Sequence, residues 1–168
     1  MTVGPDQAPV VVRTSVPEEF ERLRWIELES DRLYETVGIG PFDEDPSLAG
    51  LAGATVVFAA GDPAVGFVSV DLLDGDAHID QLSVLPERGG RGIGRDLLDR
   101  AVRWAREEGL SGVTLTTFRD VPWNAPFYAR VGFEVVETPG PELAAIRAHE
   151  RATGIDAMGP RVAMRLRI

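Results

Sequence analysis

The spacing of apolar residues divides the first third of the chain into a strand, a helix and a loop. Residues 10–15 (VVVRTS) are rich in β-branched side chains and predict a strand. Ser15 stands just before Pro17, and two glutamates follow, which is a typical helix start. The helix continues to about residue 34 through the apolar residues Phe20, Leu23, Trp25, Ile26, Leu28 and Leu33. Residues 38–46 predict a loop, and residues 47–53 predict one or two weak helical turns.

Three strands joined by tight turns are expected in the middle of the chain. The segments ATVVFAA and AVGFVSVDLL are separated by GDP and predict a hairpin with strands at about 54–60 and 64–73. The turn DGD then leads into AHIDQLSVL, a third strand at 77–85. A glycine-rich segment follows, and after it comes a helix that Gly109 ends. Its apolar residues are spaced for one buried face: Ile93, Leu97, Leu98, Ala101, Val102 and Ala105.

Strands and helices alternate in the last third of the chain. SGVTLTTF predicts a strand, VPWNAPFYARVGF a short helix, FEVVE a strand, PELAAIRAHERATG a helix, and RVAMRLRI a final strand. The predicted order is β-α-α-β-β-β-α-β-α-β-(α)-β. We therefore expect an α/β fold, with a mixed α+β sheet and helices on both faces. Residues 10–168 would form a single domain after a loose tail at residues 1–9.

Composition narrows the function classes. The chain has 168 residues and no cysteine, which excludes disulfides, thiolate metal sites and a cysteine nucleophile. No apolar run reaches transmembrane length and no signal peptide is recognisable, so a cytoplasmic location is expected. The net charge of −10 argues against nucleic-acid binding. It suits cationic acceptors such as amines, but acidity that serves only solubility is the favoured explanation of the charge.

The segment PERGGRGIGRDLLDRAV, residues 86–102, is the strongest chemical signal. Four glycines within residues 89–94 stand between a predicted strand and a predicted helix. Backbone N–H groups of such a turn, with the positive end of the helix dipole, form an anion site suited to phosphate. A merely flexible turn is the alternative. The spacing is not G-x-G-x-x-G, and the chain has no lysine, which excludes a P-loop.

Two segments together resemble a known family. HIDQLSVLPERGGRGIGRDLL and TLTTFRDVPWNAPFYARVGFEVVE are similar to the Q/R-x-x-G-x-G/A turn and the Y…GF element of the Gcn5-related N-acetyltransferases (GNAT). The resemblance is specific over residues 77–137. It implies a sheet splayed between the fourth and fifth strands, with acetyl-CoA in the split as cosubstrate and no metal. It also implies direct transfer of the acetyl group to a primary amine of a small molecule or peptide. A homodimer stays an open alternative.

The resemblance also assigns cofactor contacts, residue by residue. The fourth strand would pair its backbone with the pantetheine, and the glycine turn would cradle the pyrophosphate. The residues so assigned are Leu82, Ser83, Val84, Gly90, Arg91, Gly92, Ile93, Gly94, Arg95 and Asn124. Two positions depart from the family pattern. Gly89 stands at the first Q/R position, with Arg88 beside it, and Asn124 lies four residues before Tyr128 instead of seven, where this chain has Val121.

Acetyl transfer from a thioester to an amine needs a base for the amine proton and an acid for the thiolate. His78 and Asp80 are the candidate bases, because their i, i+2 spacing places them on one face of a regular strand. The alternatives are a solvated edge histidine and a turn-side aspartate. Tyr128 matches the family tyrosine and is the candidate acid, with a core aromatic as the alternative. A carboxylate at Glu44, in a loop where the family admits the acceptor, would attract a cation, but a solvated loop is the favoured interpretation.

Three function classes remain open at this stage. An N-acetyltransferase is the leading hypothesis, because the candidate base and acid residues are all present. A non-catalytic acyl-CoA-binding or sensing module is the alternative. A nucleotide-binding domain of another fold is disfavoured by the missing lysine and the missing dinucleotide spacing.

Overall fold

A single seven-stranded mixed sheet forms the centre of the molecule. The computed structural model describes residues 8–42 and 48–168. The strands lie in the order β1-β2-β3-β4-β5-β7-β6. Their bounds are Val12–Thr14 (β1), Val56–Ala60 (β2), Gly66–Leu73 (β3), Asp76–Val84 (β4), Gly112–Phe118 (β5), Glu134–Val135 (β6) and Arg161–Arg167 (β7). The pair β4–β5 is parallel and the other neighbouring strands are antiparallel. The predicted mixed sheet and its α/β class are confirmed.

Helices pack around this sheet. They are α1 (Phe20–Asp31), α2 (Leu48–Gly53), α3 (Ile93–Glu107), α4 (Ala125–Val131), α5 (Pro141–Thr153) and α6 (Ile155–Met158). Short 3-10 segments, Pro17–Glu19 and Arg32–Val37, precede and follow α1, so the single helix predicted there consists of three parts. All six apolar residues predicted on the inner face of α3 are buried. None of the described helices is both long and apolar enough to span a membrane.

The sheet divides into two arms between β4 and β5. These strands pair only through Ala77 with Val113 and His78 with Thr114, although β4 continues to Val84 and β5 to Phe118. Beyond these pairs β4 keeps β3 as its neighbour, and β5 keeps β7. A gap therefore opens between the β4 arm and the β5 arm, as expected for a sheet splayed at this position.

A network of ion pairs fixes the β5 arm to the C-terminal helices. Arg147 of α5 contacts Glu150 at 2.7 Å and Asp156 of α6 at 2.7 Å. Glu150 also accepts hydrogen bonds from Arg161 of β7 and from Thr116 of β5. Because Arg147 is buried, loss of its charge would leave its partner carboxylates inadequately compensated.

Candidate active site

His78 lies at the apex of the split, where the two arms meet. Its side chain is 3% exposed, and its Nδ1 lies 3.0 Å from the hydroxyl of Thr114 on β5. Burial lowers the pKa of His78 to about 4, against smaller opposing effects of nearby carboxylates such as Asp71. The imidazole is therefore neutral at physiological pH, and its basicity is below that of an ordinary histidine.

Asp80 occupies a β-bulge on the same strand. Ile79 pairs with Val70 and Gln81 with Ser69, so Asp80 is the extra residue between two register pairs. The expectation that His78 and Asp80 share a face assumed a regular strand, and the bulge interrupts that alternation. Asp80 is exposed whereas His78 is buried. The surrounding protein partly shields the Asp80 carboxylate from water, and this desolvation raises its pKa, with a smaller contribution from the nearby Asp71 charge.

The outer half of β4 offers backbone to a ligand on the side facing the split. Leu82 pairs with Val68 and Val84 with Gly66 on the β3 side, but within the described residues no strand pairs with this stretch on the β5 side. Ser83 is buried and its Oγ accepts a hydrogen bond from the Gln81 side chain. An extended ligand in the split would meet unpaired N–H and C=O groups here.

The glycine turn joins the end of β4 to α3. Gly90 and Gly92 have φ of +71° and +83°, values that favour glycine, and a Cβ placed at either residue meets nothing within 4 Å. Gly92 directly precedes the first turn of the fifteen-residue helix α3. The turn therefore combines open space with a helix N-terminus, which suits a phosphate group.

Arginines surround a cavity beside this turn. Arg88, Arg91 and Ile93 line it together with Asp96 and residues 8–10, and its volume is about 550 Å³. Arg95, in the first turn of α3, contacts Asp99 at 2.9 Å. Arg88 and Arg91 thus supply positive charge where the turn opens.

Tyr128 projects from α4 among other aromatic residues. Its ring packs against Phe127 and Phe133 at centroid distances of 5.2 and 5.6 Å, and the residue is 8% exposed. Burial raises the pKa of Tyr128, with a smaller contribution from the nearby Tyr34. The hydroxyl therefore keeps its proton at neutral pH and is able to donate a hydrogen bond.

Asn124, directly before α4, contacts the segment that follows α1. It is 6% exposed, and its side chain lies 3.0–3.1 Å from the hydroxyl of Tyr34. Its Oδ1 also lies 3.3 Å from the backbone N–H of Phe118, which donates to it at the end of β5. The ring of Tyr34 packs against Phe118 and Trp123, with centroids 5.5 Å apart in each pair. The described contacts of the Asn124 side chain are therefore internal, and its predicted contact with a cofactor stays a prediction.

Two carboxylates on α1 were missed by the sequence analysis. Burial, strengthened by the charges of Asp31 and Asp80, raises the pKa of Glu27 to about 8. Burial also raises the pKa of Asp31 to about 6. Both residues continue the inward helical stripe of Phe20, Leu23 and Tyr34 at intervals of three or four. Charged residues at apolar positions of that stripe were the available signal. Glu44, the predicted acceptor-side carboxylate, lies outside the described residues.

The segment from α1 to Val37 spans both arms of the split. α1 packs against β3 and β4, and the charge of Asp80 on β4 contributes to the raised pKa of Glu27 on α1. At the other end, Tyr34 contacts Phe118 of β5 and Asn124 before α4. This segment thus links the carboxylates of α1, which lie near β4, with the aromatic residues at the end of β5.

Comparison with known proteins gives the same architecture. The chain resembles the PaiA N-acetyltransferase of Thermoplasma acidophilum in complex with coenzyme A, with 19% identity and a TM-score of 0.70 over 96% of this chain and 100% of the other. It also resembles a GNAT-family acetyltransferase of Staphylococcus aureus, with 17% identity and a TM-score of 0.70 over 94% and 98%. A GNAT-family acetyltransferase of Brucella melitensis, solved with acetyl-CoA, matches at 21% identity and a TM-score of 0.55 over 77% and 89%.

A family model confirms the resemblance at the sequence level. The model of the acetyltransferase (GNAT) family matches residues 18–133, which is more than half of the chain. The matched segment contains α1, the split between β4 and β5, the glycine turn and Tyr128. On this match, together with the splayed sheet that encloses these residues, the protein belongs to the acetyltransferase (GNAT) family.

Proposed function

We propose that this acetyltransferase moves the acetyl group of acetyl-CoA directly to a primary amine that carries positive charge before reaction. The observation that carries the proposal is the split between β4 and β5, with the glycine turn after the end of β4 and the interacting carboxylates Glu27 and Asp80 beside that strand. Cofactor and acceptor would therefore approach the same gap from two directions.

The proposed cofactor contacts follow the shape of the β4 arm. Backbone groups of Leu82, Ser83 and Val84 would pair with the pantetheine, since no described strand pairs with them on that side. The turn of Gly90, Arg91, Gly92, Ile93, Gly94 and Arg95 would receive the pyrophosphate, with Arg88 supporting it from the cavity wall. Acetyl-CoA, when bound, supplies the thioester carbon that the amine attacks.

A carboxylate of the cleft would accept the amine proton. The bond between nitrogen and the acetyl carbon forms, the carbon–sulfur bond breaks, and the proton leaving nitrogen goes to Glu27 or Asp80, directly or through water. An alkylammonium has a pKa of about 10, so a carboxylate with a pKa of about 8 is closer to it than an ordinary glutamate. His78 stays a predicted base, but its lowered pKa and its contact with Thr114 favour a carboxylate for this step.

Tyr128 would act at the sulfur. The departing thiolate gains negative charge, and a protonated phenol stabilises it by donating a hydrogen bond. The described residues offer the Tyr128 hydroxyl no hydrogen-bond partner, and its raised pKa keeps the proton on the oxygen. The charged amine loses two protons in all. The first passes through the cleft carboxylate to solvent before attack, and the second, lost as the carbon–nitrogen bond forms, reaches the thiolate by way of that carboxylate or water and completes the thiol.

The acceptor class follows from the wall of the cleft. Glu27, Asp31 and Asp80 are carboxylates near an aromatic cluster that contains Tyr34 and Trp123. Carboxylates attract an ammonium group, and aromatic faces attract cations and the carbon chains attached to them. This combination supports a cationic or aryl-alkyl amine over an acidic acceptor.

A screen of amines tests the proposal. The protein is incubated with acetyl-CoA and with benzylamine, diaminobutane, neutral amino-acid amides or acidic amino acids, and release of free thiol is followed. We expect thiol release with cationic amines and little with acidic acceptors. Acetyl-CoA binding without thiol release in any arm would contradict the transferase and support a non-catalytic acyl-CoA-binding module instead.

A further inference from the structure

The far ends of the two arms are joined by a contact between side chains. β4 and β5 pair only at the apex, so the sheet itself does not fix their separation further along. Away from the apex, the segment Arg32–Val37 reaches the end of β5. This segment continues α1, which packs on the β4 arm. The hydrogen bonds of Asn124 with Tyr34 and Phe118 lie at this junction.

Asn124 is unusual for a residue directly before a helix. Asparagine there commonly accepts a hydrogen bond from the first turn of its own helix. In this structure no such bond is made by the Asn124 side chain, which contacts Tyr34 and the Phe118 N–H instead. The backbone carbonyl of Asn124 nonetheless accepts the N–H of Tyr128 at 3.1 Å. One residue therefore contacts the α1 segment, the end of β5 and the first turn of the helix that carries Tyr128.

We propose that Tyr34 and Asn124 form a positioning pair, whose hydrogen bond sets the distance between the carboxylates on the β4 arm and Tyr128 on the β5 arm. The inference rests on the proposed function, because it assigns the pair to the base-to-acid geometry of that reaction. The cofactor contacts proposed above lie almost wholly on β4 and the glycine turn. Loss of the bond is therefore expected to reduce turnover while leaving affinity for acetyl-CoA nearly unchanged.

The remaining groups around Tyr34 support a role for its hydroxyl beyond packing. Burial raises the pKa of Tyr34, and the hydrogen bond with Asn124 lowers it part of the way back, with a smaller lowering by a hydrogen bond to the Trp123 side chain. The charges of Asp31 and Arg161 also act on it, in opposite directions. The ring is already fixed by Phe42, Phe118 and Trp123. Tyr34→Phe therefore keeps the aromatic cluster and removes the hydroxyl with its hydrogen bonds to Asn124 and Trp123, whereas Asn124→Ala removes only the bond with Asn124 and leaves the one with Trp123.

The first experiment tests the bond without an acceptor. The chain has two tyrosines, so Tyr34 is the only tyrosine in a Tyr128→Phe protein. The ionisation of Tyr34 is followed by NMR of carbon-labelled tyrosine in that protein, with and without Asn124→Ala. We expect Asn124→Ala to move the Tyr34 titration to higher pH, because a group that stabilises the phenolate is lost. An unchanged titration would mean that the bond is not made in solution and would overturn the proposal.

The second experiment separates positioning from general loosening. Tyr34→Phe, Asn124→Ala and the double variant are compared for kcat with the amine that the screen identifies, and for acetyl-CoA affinity by calorimetry. We expect each single change to lower kcat by about tenfold, with affinity within about twofold and no further loss in the double variant. Thr36→Val removes a neighbouring hydroxyl whose partner among the described residues is the Leu33 carbonyl, and this control should keep wild-type kcat.

Each other outcome has a definite meaning. Wild-type kcat in Tyr34→Phe, additive losses in the double variant, or a parallel loss of acetyl-CoA affinity would overturn the positioning pair. If Asn124→Ala does not fold, the split between kcat and affinity in Tyr34→Phe decides alone. Tyr128→Phe, measured alongside, separates the two proposals: wild-type kcat there removes the role proposed for Tyr128. Absence of thiol release with every amine overturns the proposed function and the pair together.

Discussion

At the scale of single residues, burial changes the basicity of the candidate bases in opposite directions. A carboxylate becomes a stronger base when it is moved out of water, because its charged form is penalised, whereas an imidazole becomes a weaker one. Glu27 therefore has a pKa of about 8 and His78 a pKa of about 4. The same physical effect favours the glutamate as base and leaves the histidine as a neutral hydrogen-bonding partner of Thr114.

The pH dependence of activity distinguishes these residues. If Glu27 accepts the amine proton, kcat/KM rises with pH through an ionisation near 8, because the deprotonated carboxylate is the active form. Glu27→Gln should remove that limb and lower kcat by roughly 10²-fold. His78→Ala should leave the limb in place, since His78 is already neutral there. The measurement is kcat/KM from pH 5 to 9 with an acceptor of known ionisation; loss of the limb only in His78→Ala would restore the histidine as the base.

Tyr128 is tested by removal of its hydroxyl alone. Tyr128→Phe keeps the ring that packs between Phe127 and Phe133, so the fold should be retained. We expect kcat to fall by roughly 10²-fold while acetyl-CoA affinity stays constant, because the lost hydrogen bond matters only as the thiolate departs. The check is steady-state kinetics beside calorimetry. An equal loss of affinity and kcat would place the hydroxyl in cofactor binding instead.

At the scale of elements, the turn between β4 and α3 explains why so many glycines precede a helix. Two of its glycines have positive φ and open space in front of them, so the backbone is accessible to a large anion. A side chain at these positions would have a strained backbone and would also fill the approach to the turn. Strain and blocking are separate effects and require separate controls.

Gly92→Trp should weaken acetyl-CoA binding by about 10²-fold or more, because the indole occupies the space in front of the α3 N-terminus. Gly109→Trp is the matched control. Gly109 follows the opposite end of α3, has φ of +72°, and likewise has nothing within 4 Å of an added Cβ. Both variants carry similar strain, so calorimetry should find weakened binding only in Gly92→Trp. Equal binding in two folded variants would place the pyrophosphate elsewhere.

The elements were predictable from local pattern, but their arrangement around the cleft was only partly so. The strands and the buried face of α3 follow from the spacing of apolar residues and from the glycine, aspartate and proline residues of the turns. Each of these elements was expected within a few residues of its observed bounds. The β-bulge at Asp80 was not visible, because an extra residue in a strand depends on the register of its neighbour. Glu27 was also missed, since its position in the apolar stripe of α1 becomes meaningful only when β4 is known to lie opposite.

At the scale of the whole molecule, the two arms have different means of support. The β5 arm is fixed by the buried ion pairs of Arg147, Glu150 and Arg161. The β4 arm is covered by α1, which buries Leu23 and Ile26 against the core but also carries Glu27 and Asp31 into partly buried positions. The proposed site has a cost in stability, because the carboxylate that we propose as the base is also unfavourable to ionise.

This cost should be measurable as a pH dependence of the free energy of unfolding. The pKa of Glu27 is about 8 in the folded protein and 4.5 for a glutamate in the unfolded chain. Between these pH values the folded state therefore retains a proton that the unfolded state has released. Stability therefore falls as pH rises from about 4.5 to 8. Because Glu27 is partly exposed, we expect its contribution to be on the order of 2 kcal/mol.

Glu27→Gln should be more stable than the wild type at pH 8 and similar to it at pH 4.5, as measured by urea unfolding. Glu21→Gln, at an exposed glutamate on the same helix, is the control and should run parallel to the wild type. Parallel curves for Glu27→Gln would mean that this carboxyl ionises normally in the folded protein, and they would remove the physical basis for its role as the base. If instead the stability difference appears over the same pH range as the rise in kcat/KM, one ionisation accounts for both.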